Sequence, residues 1–210
     1  MPLHELLRPA AECAVALWKI TESEGDLRPW LRLTDEEERD LAAIRHPAQR
    51  AEWLACRLAV QHLARAAGLP YAGLTKDEHG KPHLRGAAAF VSVAHTHGWA
   101  AAALHPSRPV GVDAEPLREQ LRRVVPRVLS ESERAHAAND LTRLAVYWCA
   151  KEALYKLYGK RQVTFREHLH VEPFAENDTC LTAHLRLPAY AVQLTVHCLR
   201  TGPGLVAVAL

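Results

Sequence analysis

The 210-residue sequence lacks any long hydrophobic run, which argues against a membrane-spanning chain. Its longest nearly apolar stretch, Ala87–Ala94, is eight residues long and includes Ser92, whereas a helix needs about 20 apolar residues to cross a bilayer. A basic leader is also missing, and Glu5 and Glu12 interrupt the first apolar stretch, so we expect no secretory signal. These absences predict a cytoplasmic protein without a membrane partner.

The sequence also has little excess charge of either sign. It carries 26 basic and 24 acidic residues, for a formal net charge of +2. Proteins that coat nucleic acid concentrate positive charge, so we expect no nucleic-acid partner. A local basic pocket for one phosphorylated ligand remains compatible with this balance.

The cysteines show no metal-binding or disulfide pattern. They are odd in number and far apart, and no two form a C-x-x-C motif. This usage predicts buried, free thiols in a reducing compartment. The five residues are Cys13, Cys56, Cys149, Cys180 and Cys198.

The composition, 49% hydrophobic and 24% charged, is that of a globular chain long enough for one large or two small domains. Apolar alternation predicts strands at Cys13–Ile20, Phe90–His95, Trp99–Leu104, Val110–Glu115, His168–Phe174, Leu181–Leu187, Ala191–Leu199 and Leu205–Leu210. Helices are predicted after the capping boxes Thr34/Glu37 and Ser130/Glu133, over Ala48–Ala67, Leu117–Val125 and Asp140–Tyr158, with a turn at Glu22–Pro29 and a loop at Tyr71–Gly86. We therefore expect an α+β pseudo-duplication with subdomains 1–105 and 106–210, each a small antiparallel sheet packed with a long helix.

The segment Gly111–Glu115 reads Gly-Val-Asp-Ala-Glu and is the first motif that suggests chemistry. In a strand, alternate side chains share a face, so Asp113 and Glu115 point the same way. Two like charges on one face repel each other unless a cation lies between them. Taken alone, such a pair more often marks a solvated strand end, here before Pro116.

The second motif, Trp148–Lys156, reads Trp-Cys-Ala-Lys-Glu-Ala-Leu-Tyr-Lys within the last long predicted helix. Trp148, Glu152 and Lys156 are four residues apart and share one helix face. A Glu–Lys pair at this spacing also stabilises ordinary helices, by roughly 0.2–0.5 kcal/mol. Together with Asp113 and Glu115, however, it supplies three carboxylates and a lysine. That set suits a hard cation such as Mg²⁺ holding a phosphate-containing substrate.

These motifs resemble those of the two-domain 4′-phosphopantetheinyl transferases of the surfactin-synthetase-activating type. That family combines a G-[IV]-D-x-E strand with a later W-x-x-K-E-x-x-x-K helix. Gly80–Pro82 resembles its G-K-P loop, and Ser92–His95 resembles its S-x-S-H strand end. The sequence departs from the family at Ala94, where serine is usual, and at the acidic run Asp35–Glu38, where relatives carry basic residues. The resemblance extends over roughly Arg50–Phe174.

The resemblance implies that Asp113, Glu115 and Glu152 bind Mg²⁺ and that Glu152 accepts a proton, with Lys156 stabilising charge on a diphosphate. The implied catalytic residues are Glu152, Lys156 and Asp113, and Trp148 is expected to pack in the core. Lys151 is either a phosphate contact or a charge on the helix surface. Arg50 and Arg57 are either ligand residues or part of a solvated helix face. The contacts implied with coenzyme A are Arg50, Arg57, Lys81, His95, Lys151 and Lys156.

The reaction implied is transfer of the 4′-phosphopantetheine group from coenzyme A to a serine of an apo acyl or peptidyl carrier protein, with release of 3′,5′-ADP. A monomer is expected, because both halves of the site lie in one chain. The alternative is a non-catalytic module of the same fold that binds carrier proteins or coenzyme A. A Mg²⁺-dependent nuclease is disfavoured because Leu117 stands where such folds place a lysine. A zinc site at His95 and His97 with Asp113 lacks a third histidine at ligand spacing.

Overall fold

A computed structural model describes residues 3–202 and 204–210 of the protein. The chain divides into two compact units, Met1–Val110 and Gly111–Leu210, and the boundary expected from the sequence lies just before this division. Each unit pairs an antiparallel sheet with one long helix, so the α+β class is confirmed. Within the described residues, none of the helices combines the length and apolar character that bilayer crossing requires.

The N-terminal unit has a six-stranded sheet in the order β1-β2-β6-β5-β4-β3. The longest helix, α3, packs on β2, β5 and β6, and the buried alanines of β6 leave room for it. The strands β1–β6 are Leu3–Ala10, Cys13–Lys19, Leu74–Lys76, Pro82–Leu84, Phe90–Thr96 and Trp99–His105. The helices α1–α3 are Glu24–Leu27, Asp35–Ala43 and Pro47–Ala66, with a 3₁₀ turn at Arg28–Trp30.

The C-terminal unit has a five-stranded sheet in the order β7-β11-β10-β9-β8, also antiparallel throughout. Its long helix, α6, packs on β7 and β11 and forms the centre of the core. The strands β7–β11 are Gly111–Glu115, Leu169–Val171, Cys180–Leu187, Tyr190–Thr201 and Gly204–Ala209. The helices α4–α7 are Leu121–Val124, Glu131–Ala137, Leu141–Tyr158 and Phe165–His168, with a 3₁₀ turn at Val125–Arg127.

The predicted helix ends at the two long helices and both capping boxes are confirmed. The Thr34 and Ser130 hydroxyls accept hydrogen bonds from the backbone N–H groups three residues later. Asp140 caps α6 through the N–H of Arg143 at 2.8 Å. Gly159 ends α6 at φ +69°, a conformation that glycine adopts without steric cost.

Some elements that are short or lie at a sheet edge are not predicted by the sequence pattern. The strand β1, which is only half-buried at the edge of its sheet, is one of them. The expected loop Tyr71–Gly86 contains β3 and β4, which have three residues each and are too short for an alternating pattern. The expected turn Glu22–Pro29 contains α1, which begins at a third capping box, Ser23/Asp26.

The two capping-box glutamates, Glu37 and Glu133, also anchor their units from within; we call them the anchoring glutamates. Glu37 is 1% exposed and binds Arg57 of α3 at 3.0 Å and the backbone N–H of Leu74 at 3.1 Å. Glu133 is 3% exposed and binds Lys151 of α6 at 2.7 Å and the backbone N–H of Val171 at 2.9 Å. In each unit one carboxylate thus ties a helix start to the long helix and to a short strand, 37 and 38 residues further along the chain.

The cysteines are free thiols, as expected. Four of them are buried, and burial raises the pKa of Cys13 to about 11 and that of Cys149 well above its ordinary value. Cys180 is exposed, so the expectation that all five are buried is wrong for this residue. Its position at the start of β9 explains the difference, because strand ends reach the surface.

Candidate active site

Gly111 sets the distance between β7 and α6. A Cβ atom on this residue would lie 1.9 Å from the carbonyl oxygen of Ala153 and 2.6 Å from the backbone nitrogen of Leu157. Real Cβ atoms do not approach backbone atoms this closely, so any larger residue would force the strand away from the helix. The glycine that opens the first motif therefore brings its acids against the helix that carries the second motif.

Asp113 and Glu115 face the lysine-bearing surface of α6. The Lys156 ammonium donates to Asp113 Oδ1 at 2.7 Å, and the Trp148 indole N–H donates to Glu115 Oε2 at 3.1 Å. Glu152 lies midway between Trp148 and Lys156 in the sequence, on the same helix face. The predicted face of α6 is therefore the one that meets the predicted face of β7.

The three carboxylates are close enough to influence each other's ionisation. Burial, followed by the charges of Asp113 and Glu115, raises the pKa of Glu152 to about 7, and Lys156 partly offsets this. Burial also raises the pKa of Glu115, while Arg118 and Trp148 lower it. Burial is therefore the main reason why the charged forms of Glu152 and Glu115 are disfavoured, and the neighbouring carboxylates add to it.

Arg118 belongs to this cluster, although the sequence analysis did not identify it. Its Nε and Nη2 atoms lie 2.7 Å and 2.6 Å from the same Glu115 oxygen, Oε1. It lies within Leu117–Val125, which was expected to be helical, but α4 begins only at Leu121, so the expected helix is wrong at its start and Arg118 lies in the loop before it. Its position three residues after Glu115 was the only available signal.

The donor set fits a hard divalent cation by its chemistry, since carboxylate oxygens are the ligands that Mg²⁺ prefers. Burial, and after it the two neighbouring carboxylates, raise the pKa of Glu152 by disfavouring its charged form, and a bound cation would offset both effects. Among the residues that the structure describes, no group of three or more acidic, histidine or cysteine side chains is gathered at ligand geometry. Two of the three proposed ligands are instead paired with cations, Asp113 with Lys156 and Glu115 with Arg118.

Lys151 does not face this cluster. Its side chain is fully buried, with Nζ 2.7 Å from Glu133 and donating to the carbonyls of Val128 at 3.2 Å and Phe165 at 2.8 Å. An ammonium group has three N–H donors, and these three acceptors use them all. The expectation of a helix-surface charge is wrong, and the contacts contradict a phosphate-binding role.

Trp148 has a second role beyond the core packing expected of it. Its ring is partly buried and packs near Phe165, with centroids 6.1 Å apart. Its N–H meanwhile orients Glu115. One side chain therefore connects the core of the unit to the acidic cluster.

The N-terminal unit contains a separate cavity of about 400 Å³ between α3 and the sheet. Two of the expected ligand residues, Arg57 and His95, line it. Arg57 is bound to Glu37 and stacks over Trp53, its guanidinium carbon 3.0 Å from the ring centroid. His95 is half-exposed and lies 3.0 Å from Glu52. Burial of Arg57 contradicts the solvated helix face considered for it.

Arg50 and Lys81, also expected as ligand residues, are placed differently. Among the described residues, the cavity lining includes neither of them. Arg50 is partly exposed and pairs with Glu24 at 2.5 Å. The pKa of Lys81 is lowered by burial, with Asp77 opposing the shift.

The fold and the site define a two-unit α+β protein whose C-terminal unit sets acids on a strand against a lysine-bearing helix. Two family models match the chain. The model of the 4′-phosphopantetheinyl transferase superfamily matches residues 109–208, and that of the 4′-phosphopantetheinyl transferase N-terminal domain matches residues 36–105. The chain belongs to the 4′-phosphopantetheinyl transferase superfamily, in its two-domain form. No curated protein matches it in sequence.

Proposed function

We propose that this protein transfers the 4′-phosphopantetheine group from coenzyme A to a serine of an apo carrier protein and releases 3′,5′-ADP. Family membership supports phosphopantetheinyl transfer in general. The observation that carries the specific proposal is the contact between the two motifs, with Lys156 on Asp113 and Trp148 on Glu115. This contact brings the acids and the lysine of both motifs to one site.

Glu152 is the proposed proton acceptor. Its pKa of about 7 leaves a substantial fraction ionised at neutral pH, where a base must be unprotonated to act. The serine Oγ forms a bond to the β-phosphorus, and the bond from that phosphorus to the bridging oxygen breaks. The serine proton passes to Glu152, directly or through water, and the electron pair leaves with 3′,5′-ADP.

Lys156 is the proposed stabiliser of charge on the diphosphate. Its contact with Asp113 holds the ammonium in place within the cluster. Little reorganisation of the ammonium is therefore needed when the leaving oxygen gains charge. Magnesium held by Asp113, Glu115 and Glu152 would supply further neutralisation of the diphosphate. The catalytic contribution of the chain is thus positioning and electrostatics, as for phosphoryl transfer in general.

The test is a mass measurement on carrier proteins. The purified protein, coenzyme A and Mg²⁺ are incubated with a panel of apo acyl and peptidyl carriers, and 3′,5′-ADP is quantified by chromatography. We expect a carrier to gain about 340 Da, the mass of the added phosphopantetheine group, and EDTA to prevent the gain. An unchanged mass across the panel would favour the non-catalytic binding module instead.

The substitution Glu152→Gln tests the proposed base in the same assay. It removes the charge and keeps the shape, so we expect transfer to fall by at least about 100-fold with the fold intact. Glu176→Gln is the matched control, because Glu176 is an exposed glutamate of the same unit outside the cluster. Full activity of Glu152→Gln would contradict the role assigned to Glu152.

A further inference from the structure

Arg118 contacts Glu115, one of the three proposed metal ligands. Two of its three guanidinium nitrogens, Nε and Nη2, contact one oxygen of Glu115, Oε1, and the Trp148 N–H donates to the other, Oε2. A carboxylate has about four lone-pair sites on its two oxygens. Arg118 and Trp148 therefore take three of them, including both on Oε1.

The two sides of this ion pair are unequal in exposure. Glu115 is 7% exposed at its side chain, whereas Arg118 is 52% exposed. A metal cation that binds the Glu115 carboxylate can therefore displace the Arg118 side chain into solvent without moving the strand that carries Glu115. An exposed guanidinium loses little on release, since water replaces its hydrogen bonds.

We propose that Arg118 is an internal counter-cation that competes with the divalent ion for Glu115 and thereby sets the affinity of the site for metal. The inference rests on the metal site of the proposed function. Arg118 occupies Oε1 of the buried Glu115 when metal is absent and leaves this oxygen when metal binds. Arg118 is therefore a positioning residue, and its effect is on metal affinity before any coenzyme A or carrier is present.

The neighbouring turn offers a matched comparison. Arg122 pairs with Glu119 at 2.8 Å, with the same three-residue spacing and the same charges. That pair lies outside the acidic cluster and Glu119 is exposed. Removing the charge of Arg122 changes the net charge of the unit equally, without freeing a proposed metal ligand.

The experiment measures Mn²⁺ binding alone at pH 7.5, by the loss of the free-ion signal in electron paramagnetic resonance, with Mg²⁺ as competitor. Arg118→Gln should tighten binding by about two- to fivefold, the range that the loss of an exposed ion pair allows. Arg118→Lys should stay close to the unchanged protein, because it keeps the charge. Arg122→Gln should also leave the affinity unchanged. Circular dichroism confirms that each variant is folded.

Unchanged or weaker binding in Arg118→Gln would overturn the proposal, as would equal tightening in Arg122→Gln or no saturable binding in any folded form. Coenzyme A and carrier protein take no part in this measurement. A protein that modifies no carrier would still report on Arg118, so failure of the inference and failure of the proposed transfer are distinguishable. In the transfer assay, Arg118→Gln should lower the Mg²⁺ concentration needed for half-maximal rate by the same factor.

Discussion

Replacing Lys151 by methionine should destabilise the C-terminal unit without touching the acidic cluster. The Lys151 side chain is 0% exposed and its partner Glu133 is 3% exposed, with Nζ and Oε2 2.7 Å apart. Methionine has a similar length but leaves the Glu133 carboxylate buried without its cation. The loss of one partner from a buried pair costs about 3–5 kcal/mol, a large part of the roughly 5–15 kcal/mol that stabilises a typical domain.

The magnitude can be checked by urea unfolding followed by far-UV circular dichroism. For a chain of this length a loss of 1 kcal/mol lowers Tm by roughly 2–4 °C, so thermal unfolding should shift by roughly 6–20 °C. The double variant Lys151→Met with Glu133→Gln should recover much of the loss, because it removes both charges and glutamine still serves a capping box. Lys160→Met is the matched control; Lys160 is exposed, and we expect a change within about 0.5 kcal/mol.

One result would refute this reasoning. If Lys151→Met unfolded like the unchanged protein and instead lost affinity for coenzyme A, the ammonium would be a ligand contact and its buried ion pair would contribute nothing to stability. A double variant no more stable than Lys151→Met would also contradict the coupling between the two residues.

Two further predictions concern the strand and helix of the site. In EDTA, Glu152→Gln should be more stable than the unchanged protein by up to about 3 kcal/mol above pH 7 and by little below pH 4.5. The reason is that the folded-state pKa of Glu152 is raised from 4.5 to about 7, so the unchanged protein loses folding free energy as pH rises through that range and Glu152 ionises. Urea titrations at several pH values check this, and a pH-independent difference would contradict it. Gly111→Ala should cost about 3 kcal/mol or more in thermal unfolding, since its Cβ would lie 1.9 Å from a backbone oxygen. Gly25→Ala, whose nearest atom is at 3.7 Å, is the control, and equal stability of both variants would contradict the packing argument.

The facing motifs were predictable because each follows a simple period. A strand repeats every two residues and a helix every 3.6, so Asp113 and Glu115 fall on one face and Glu152 and Lys156 on another. These periods do not predict which atoms come into contact. The hydrogen bond from Lys156 to Asp113 is known only from the structure.

Lys151 and Arg118 were misjudged or missed for a physical reason. Lysine is almost never fully buried unless it is paired. Its partner, Glu133, belongs to a capping box, and this local role gives no sign that the same carboxylate also binds Lys151. Arg118 lies in a segment that was expected to be helical, whereas the structure places it in the loop before α4. Local patterns therefore did not reveal the partner of either residue, whether it is distant in the sequence, as Glu133 is for Lys151, or only three residues away, as Glu115 is for Arg118.

The anchoring glutamates give a rule for comparing the two halves of the chain. Glu37 and Glu133 make the same three contacts: a helix cap, an ion pair and a hydrogen bond with a backbone N–H. The cation is Arg57 in one unit and Lys151 in the other, and the N–H belongs to Leu74 in one and to Val171 in the other. Residue identity relates the two glutamates to each other but not the partners that they bind. Matching residues by the contact that they make, instead of by their type, therefore relates positions of the two halves that a comparison of their sequences leaves apart.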